Sequence, residues 1–190
     1  MHISLDGIIS GPKGTLDWAF RVNKDDIDKY FGVDLLKTVD TLVLGRVLYR
    51  GFEKAWPAQA KNPKSSKDTV DFAHWIEDSP KIVFSSTKQK LDWKNSRALI
   101  VKSDSDILRE VAKLKKEKGG DIVLFGGARL AQTFARLNLI DEYRLKLSPV
   151  VVGGGRPLFK EIKDLMDLKL IKCKAFDSGV VGLYYKPEKR

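Results

Sequence analysis

The sequence predicts an α/β fold built on a mixed, mainly parallel sheet. Through the first two-thirds of the chain, short apolar runs alternate with segments of helical periodicity, a pattern typical of βαβ units. The last third ends in two strand-like runs joined by Asp177-Ser178-Gly179, which predict an antiparallel hairpin. No low-complexity stretch or long linker divides the chain, so we expect a single domain over residues 1–190.

The first half of the chain alternates between strand-like and helical segments. Residues 3–10 (ISLDGIIS) are a candidate first strand that ends at Gly11-Pro12. The next segment predicts a helix capped by Asn23, with three apolar residues on one face: Ile27, Phe31 and Leu35. The remaining segments are a buried strand over 40–45, a short helix over 46–56 closed by Trp56-Pro57, a polar loop over 61–67 and a helix over 68–79.

The second half continues this alternation and then changes to strands. A helix over 103–118 begins with Ser and Asp residues that suit an N-terminal cap, and Gly119-Gly120 stops it. Its apolar stripe is Ile107, Val111 and Leu114. The other segments are strands over 81–87, 96–102 and 121–126, a helix over 127–138, a strand over 142–155 and hairpin strands over 168–176 and 179–187.

Composition and charge limit the class of protein. The apolar fraction of 43% allows a substantial core, no apolar run approaches the ~18 residues of a membrane span, and the start lacks a signal-peptide pattern. The lone Cys173 excludes an internal disulfide, and we expect a cytoplasmic protein without membrane contact. The formal charge of +10 is scattered among acids along the sequence, which favours attraction of anionic small molecules over nucleic-acid binding.

Three predicted buried strands end in the same way. Each leaves the sheet through Gly, Ser or Thr, and two of them are followed at once by arginine: DTLVLGR with Gly45 and Arg46, KIVFSST with Ser85, Ser86 and Thr87, and DIVLFGGAR with Gly126, Gly127, Ala128 and Arg129. Ligands of open α/β sheets bind beyond the carboxyl ends of parallel strands. If the three strands are neighbours, their ends therefore form one shelf of backbone N–H groups, hydroxyls and guanidiniums that suits a diphosphate. Plain turn chemistry is the alternative for the two glycines.

The second of these strand ends indicates which dinucleotide the shelf would hold. NAD sites usually place an acid against the ribose 2′-hydroxyl, whereas NADP sites place hydroxyls and cations there. The chain has Ser85-Ser86-Thr87-Lys88 at this point and no acid. The sequence therefore favours NADPH as the cofactor.

An ordered set of motifs resembles the dihydrofolate-reductase-like family. The motifs are SLDGIISGPKG–LDW, DTLVLGR–LYRGF–WP, KIVFSST and GGDIVLFGGARLAQTFARLNLIDEYRLKLSPVVVGGGRPLF, and together they cover nearly the whole chain. The most similar branch is that of the C-terminal reductase domain of bacterial riboflavin biosynthesis and its stand-alone relatives. The resemblance implies a dihydrofolate-reductase-like three-layer fold with helices on both faces of the sheet, NADPH bound across the strand ends, and a homodimer.

The resemblance also implies roles for individual residues. Gly45 and Arg46 would meet the cofactor phosphates, Ser85, Ser86 and Thr87 would lie near the 2′-phosphate, and the diphosphate would be held by Gly126, Gly127, Ala128, Arg129 and Leu130. The SLDG segment, with Ser4, Ile8, Ile9 and Gly11, would border the nicotinamide and the substrate. One departure is that no acid on the predicted first helix (Asp25, Asp26, Asp28 or Asp34) is marked out as the proton donor of a folate reductase.

Four further residues have two interpretations each. Asp6 is the one acid in the apolar ISLDGII stretch, so it either shapes a turn or serves as a catalytic proton donor. Trp18, Tyr49 and Trp56 either stack on a flat heteroaromatic substrate or belong to the core. His2 and His74 have no ligand companions, so we predict no metal site.

These observations predict an NADPH-dependent oxidoreductase. Its substrate would be a small nitrogen heterocycle or its ribosylamino adduct, as in 5-amino-6-(5-phosphoribosylamino)uracil reduction, and the sequence does not identify the acceptor. Two alternatives stay open: a dihydrofolate or pterin reductase on the same fold, and a non-catalytic nucleotide-binding or basic nucleic-acid-binding protein. An apolar-rich final third, VVVGGGRPLF through VVGLYY, adds to the expectation of a homodimer.

Overall fold

A computed structural model describes residues 1–22 and 25–188 of the chain. By internal contacts the chain divides into two compact units, the first made of Met1–Asp28 and Ala131–Arg190 and the second of Lys29–Leu130. The strands are β1 His2–Ser4, β2 Ile8–Ser10, β3 Val39–Gly45, β4 Lys81–Ser85, β5 Ser96–Ile100, β6 Asp121–Gly126, β7 Tyr143–Ser148, β8 Arg156–Pro157, β9 Leu168–Ala175 and β10 Val181–Pro187. The α-helices are α1 Asp25–Thr38, α2 Arg46–Lys61, α3 Lys67–Asp78, α4 Asp104–Leu114 and α5 Ala128–Arg136, and a 3-10 turn covers Asp17–Phe20.

The second unit contains a four-stranded sheet in the order β5-β4-β3-β6, and every neighbouring pair is parallel. Apolar residues of β3 and β4 form its core together with residues of α2 and α3: Leu42, Leu44, Tyr49, Ile76 and Val83. Rings of α2, α3 and β6 pack around this core edge to face. The predicted βαβ alternation is confirmed here, because helices separate successive parallel strands wherever the sequence indicated them.

Helix α2 is longer than the sequence predicts. We expected it to close at Trp56-Pro57, but it runs through Pro57 to Lys61. A proline inside a helix removes one backbone hydrogen bond and costs about 3 kcal/mol. Up to the residue before this proline, α2 is held by ring contacts of Trp56, at 5.8 Å from Phe52 and at 5.2 Å from Phe72.

A buried lysine fixes the start of β4 against the end of α3. Lys81 is fully buried, and its Nζ donates to the carbonyl oxygens of Glu77 at 2.9 Å and Ser79 at 2.8 Å. The ammonium also lies 4.4 Å from the ring centre of Trp93, and burial lowers the pKa of Lys81 to about 8. The last carbonyls of α3 are therefore satisfied by a side chain of the strand that follows it.

The first unit contains a mixed four-stranded sheet in the order β1-β7-β10-β9 and a short β2-β8 pair. Strand β1 is parallel to β7, and the other pairs are antiparallel, which confirms the predicted closing hairpin. The predicted first strand over 3–10 is wrong as a continuous strand. It breaks at Asp6-Gly7, where Gly7 has φ +79°, and the Ser4 hydroxyl accepts a hydrogen bond from the Ile8 N–H at 2.9 Å.

The structure therefore has the predicted α/β class, with a parallel sheet, helices and additional antiparallel strands. Its strands form two four-stranded sheets, one in each unit, rather than one uninterrupted hydrogen-bonded ladder. The single domain over 1–190 stays a prediction. The predicted cap at Asn23 lies outside the described residues.

Candidate functional site

The three similar strand ends are neighbours in the sheet of the second unit. Strands β4, β3 and β6 are adjacent and parallel, so their carboxyl ends reach the same edge. Gly45 pairs with Phe84 of β4, and Leu44 pairs with Gly126 of β6. This confirms the neighbour relation on which the predicted shelf depends.

Gly45 is required by a close approach of two strand ends rather than by its own conformation. Its φ of −80° and ψ of 153° suit any residue, but a Cβ at this position would lie only 3.1 Å from the Gly126 carbonyl oxygen. Such a contact is tighter than a side chain normally accepts, so β3 and β6 would have to separate slightly. A glycine thus begins α2 where a capping side chain is otherwise usual.

Gly126 and Gly127 are required by conformation. Their φ values are +88° and +92°, in the region where a side chain is strained. The turn that they form leads directly into α5 at Ala128. The structure thus supports the turn chemistry of this pair, and the same turn aims the first N–H groups of α5 out of the strand end, as an anion site needs.

The starts of α2 and α5 share an electropositive character. Neither helix has an acidic residue in its first turn, and α2 has no side-chain cap. Arg46 is the first residue of α2, Arg129 is the second of α5, and both are exposed. The positive end of each helix dipole is therefore reinforced by a guanidinium.

The end of β4 presents hydroxyls and a cation. Ser85 is buried and its Oγ accepts a hydrogen bond from the Thr87 N–H at 3.2 Å, so its hydroxyl shapes the turn. Ser86, Thr87 and Lys88 are exposed, and Gln89 donates to Thr87 Oγ1 at 2.8 Å. No acid is present in this segment, as the sequence indicated.

A fourth strand also ends at this edge, and no sequence motif marks it as part of the site. Strand β5 is parallel to β4, and directly after its end the Val101 N–H donates to the Ser85 carbonyl oxygen at 2.9 Å. The exposed Lys102 follows Val101. In the sequence, the sign of this position was a basic residue that follows an apolar run. Only the pairing of β4 with β5 shows that this run lies beside β4.

In the first unit, the Asp6 carboxylate holds a distant loop. It accepts a hydrogen bond from the Ser4 hydroxyl at 2.6 Å, from the Val152 N–H at 3.1 Å and from the Gly153 N–H at 2.8 Å. These donors stabilise the charged form and lower the pKa of Asp6 to about 2. An ionised carboxylate with these partners joins two chain segments and has no proton to donate at neutral pH, which favours its structural interpretation.

The other candidates of the first unit surround the same turn. Ser4, Ile9 and Trp18 are buried, and Ser4 is occupied by its bonds to Asp6 and Ile8. Trp18 lines a cavity of about 310 Å³ together with Gly11, Thr15, Arg21 and Val150–Val152, among others. The indole N–H of Trp18 is buried and has no hydrogen-bond partner among the described residues.

Tyr49 and Trp56 lie in the aromatic and apolar core of the second unit. Tyr49 is 0% exposed, and its hydroxyl donates to Glu53 at 3.2 Å and accepts from the Trp93 N–H at 3.1 Å. Trp56 packs between Phe52 and Phe72. Of the two interpretations of these rings, the structure supports core packing and leaves Tyr49 no face for a ligand to stack on.

Two further classes of feature are absent from residues 1–22 and 25–188. No helix in those ranges combines the length and the apolar character that crossing a bilayer requires. No group of three or more His, Cys, Asp and Glu side chains there is arranged to hold a metal ion.

Comparison with known sequences places the chain among reductase-type domains. The model of the RibD C-terminal domain family matches residues 1–182. The uncharacterized protein YyaP of Bacillus subtilis (strain 168) is 38% identical over 97% of this chain and 91% of its own length. The uncharacterized protein YwjB of the same organism is 29% identical over 94% of this chain and 90% of its own length.

Comparison with solved structures gives the same fold. A deaminase/5-amino-6-(5-phosphoribosylamino)uracil reductase of Thermotoga maritima has a TM-score of 0.63 and 16% identity, over 98% of this chain and 54% of that one. Dihydrofolate reductase from Enterococcus faecalis, complexed with NADP(H), has a TM-score of 0.58 and 15% identity, over 99% of this chain and 94% of that one. At these identities the likeness establishes the dihydrofolate-reductase-like fold alone.

Proposed function

The chain belongs to the family of the RibD C-terminal domain, and we propose that it is an NADPH-dependent reductase. It would transfer a hydride to a small nitrogen heterocycle or its ribosylamino adduct, the reaction class named for the Thermotoga maritima relative. The observation that carries the proposal is the shared edge of β4, β3 and β6, with two glycine-led helix starts beside it.

The residues of this edge fit a diphosphate. Gly45 and Gly127 have no side chain to block phosphate oxygens, and the helix starts that follow them supply backbone N–H donors. Arg46 and Arg129 add guanidiniums suited to bidentate contact. Each charge-assisted contact contributes about 1.5–3 kcal/mol to binding. Ser86, Thr87 and Lys88 suit a 2′-phosphate, which distinguishes NADPH from NADH.

The acceptor side of the reaction rests on the resemblance alone. Ser4, Ile9 and Trp18 would border the acceptor, as the resemblance implies. The bound cofactor would supply the hydride, and the protein would orient the acceptor and exclude water. Because Asp6 is held as an ionised loop contact, the proton would come from bound water rather than from this carboxyl.

Ligand-dependent stability tests the proposed cofactor. Ligands that bind only the folded state raise the melting temperature by mass action. We expect NADPH to raise the melting temperature more than NADH at equal concentration, and FMN to have no effect. Equal shifts with the two nicotinamide cofactors, or no shift with either, would contradict the proposal.

Turnover then separates the candidate reactions. We expect NADPH oxidation with 5-amino-6-(5-phosphoribosylamino)uracil or a related aminopyrimidine and none with dihydrofolate. Oxidation with dihydrofolate, blocked by an antifolate, would establish the alternative of a folate reductase. Binding of NADPH with no oxidation in any arm would identify a non-catalytic nucleotide-binding protein.

We also propose that the protein is a cytoplasmic homodimer. Large apolar side chains of the first unit stay exposed in the single chain, including Leu165 at 75%, Leu170 at 49% and Ile171 at 49%. Such exposure is typical of a surface that is covered in an assembly. Light scattering at micromolar concentration should give about twice the 21.4 kDa of one chain, and particles of one chain only would contradict the dimer.

A further inference from the structure

The mixed sheet of the first unit separates its basic residues from its apolar ones. Strands β1, β7, β9 and β10 contain six lysines and arginines and no aspartate or glutamate. The strand pairing places Arg144 and Lys172 opposite Tyr184, Lys146 and Lys174 opposite Gly182, and Lys169 opposite Lys186. Paired residues and alternate residues point to one side of a sheet. All six cations therefore lie on one side, which we call the basic face: Arg144, Lys146, Lys169, Lys172, Lys174 and Lys186.

The basic face has the form of a shallow valley between two rows of cations. Arg144 and Lys146 on β7 form one row, and Lys172 and Lys174 on β9 form the other. The middle strand β10 contributes Gly182, which has no side chain, between Lys146 and Lys174. The two rows are about 9.6 Å apart, and the cations within a row about 6.8 Å, from the ordinary spacings of antiparallel strands.

The floor of the valley holds the cations in place. Tyr184 is 4% exposed because side chains lie over its ring, with the Arg144 guanidinium at 5.5 Å and the Lys172 ammonium at 5.1 Å from the ring centre. Arg144 Nε donates to Glu142 at 2.6 Å, and its Nη1 has no hydrogen-bond partner among the described residues. The cationic groups thus lie over the aromatic floor, and part of the Arg144 guanidinium is buried there.

We propose that the basic face binds the phosphodiester backbone of a nucleic acid, laid along β10 between the two rows. A nucleic-acid strand carries one negative charge per ~3.4 Å of helix axis. A backbone that lies between the two rows would therefore bring phosphates near the cations of both. The contact is to the backbone alone, because the floor presents no exposed base-reading side chain, so the binding has no sequence preference. This interaction is additional to the proposed reductase activity and uses none of its residues.

The test is fluorescence anisotropy with a labelled oligonucleotide of about 20 nucleotides, single-stranded in one arm and duplex in the other, from about 50 to 200 mM salt. The variant is Lys172→Glu with Lys174→Glu, two exposed positions on β9. Its control is Lys116→Glu with Lys118→Glu, which makes the same charge change at the same spacing on exposed residues after α4. Circular dichroism and the NADPH-dependent melting shift check that both variants keep their fold.

We expect the wild type to bind the single-stranded oligonucleotide, the duplex or both. A plot of log affinity against log salt concentration should fall with a slope of about 3 to 4, as expected for four or five phosphate contacts. The β9 variant should lose at least tenfold in affinity and about 1.5 in slope, and the control should stay within threefold of the wild type. If the Lys→Glu changes destabilise the strand, the milder pair Lys172→Ala with Lys174→Ala should still lower both the affinity and the salt slope. Three results would each overturn the proposal. They are no wild-type binding at low salt, an equal loss of affinity in variant and control, and displacement of the oligonucleotide by polyglutamate at equal charge.

Discussion

Two pairs of helix starts within one unit follow opposite rules. Helices α3 and α4 begin after Ser66 and Ser103, whose hydroxyls accept from the Thr69 and Asp106 N–H groups at 3.2 Å each. Both have acids in the first turn, Asp68 in α3 and Asp104 with Asp106 in α4. These starts satisfy their own backbone donors and their own dipoles.

Helices α2 and α5 begin after Gly45 and Gly127, have no acid in the first turn and carry arginine there instead. Helices α2 and α5 directly follow the adjacent strands β3 and β6, whereas α4 follows β5, which is not a neighbour of β3, and α3 follows a loop. This difference fits our proposal that the chain caps a helix with its own side chains where the start is structural, and leaves donors and cations where an anion would bind.

The strongest test converts an open start into the capped type. Ala128→Asp gives α5 the first-turn acid that α4 has in Asp104. The acid suits the helix dipole, so stability should hold or rise by about 0.3–1 kcal/mol. A carboxylate about 5 Å from a phosphate costs about 3 kcal/mol at an effective dielectric constant of 20, so NADPH affinity should fall about a hundredfold. Calorimetric titration measures it, and unchanged affinity would remove α5 from the cofactor site.

Removal of one guanidinium is the next largest effect. Arg129→Ala should leave the free energy of unfolding within about 0.5 kcal/mol, as for most exposed positions. Loss of a charge-assisted phosphate contact should weaken NADPH tenfold to a hundredfold. Arg97→Ala is the matched control, an exposed arginine near the amino end of β5. If the two variants give coincident titration curves, Arg129 is not a phosphate ligand.

A selective effect is expected at the end of β4. Lys88→Ala should weaken NADPH about tenfold, since a contact to the 2′-phosphate is lost. NADH lacks that phosphate, and its affinity should not change. Parallel titrations with both cofactors measure the ratio, and an equal loss for the two would place Lys88 elsewhere than at the 2′-phosphate.

The smallest effect on the cofactor is expected at the capped starts. Ser103→Ala removes the hydroxyl that accepts from the Asp106 N–H and should cost about 1 kcal/mol of stability. The melting temperature should fall by about 2–4 °C, and NADPH affinity should stay unchanged. A loss of affinity without a loss of stability would reverse the roles that we assign to the two kinds of helix start.

The sequence predicted the parts of the site that depend on local chemistry. The pair Gly126-Gly127 indicated a turn because glycine tolerates positive φ, and short apolar runs alternating with helices imply neighbouring parallel strands. The length of α2 was not predicted, since the helix continues through Pro57, a residue that by local pattern indicates a helix end. The burial of Tyr49 was likewise not predictable, since its hydroxyl accepts a hydrogen bond from the N–H of residue 93, far along the chain.

Long-range pairing accounts for the other differences. The break in the first strand is held by Asp6 bonds to residues 152 and 153, which no local pattern reveals. Six of the 35 basic residues that are scattered along the sequence are collected on one face by the register of β7, β10 and β9. Local sequence therefore indicates the phosphate shelf, whereas only the fold indicates the basic face.

The central claim is that the open helix starts, and not the capped ones, bind the cofactor phosphates. Amide resonances recorded by two-dimensional NMR during an NADPH titration test it at the atoms concerned. We predict saturable shifts for the N–H groups of Arg46, Gly127 and Ala128, with none for those of Thr69 and Asp106. Saturation of NADPH binding without shifts at the first three residues, or with equal shifts at all five, would contradict the account.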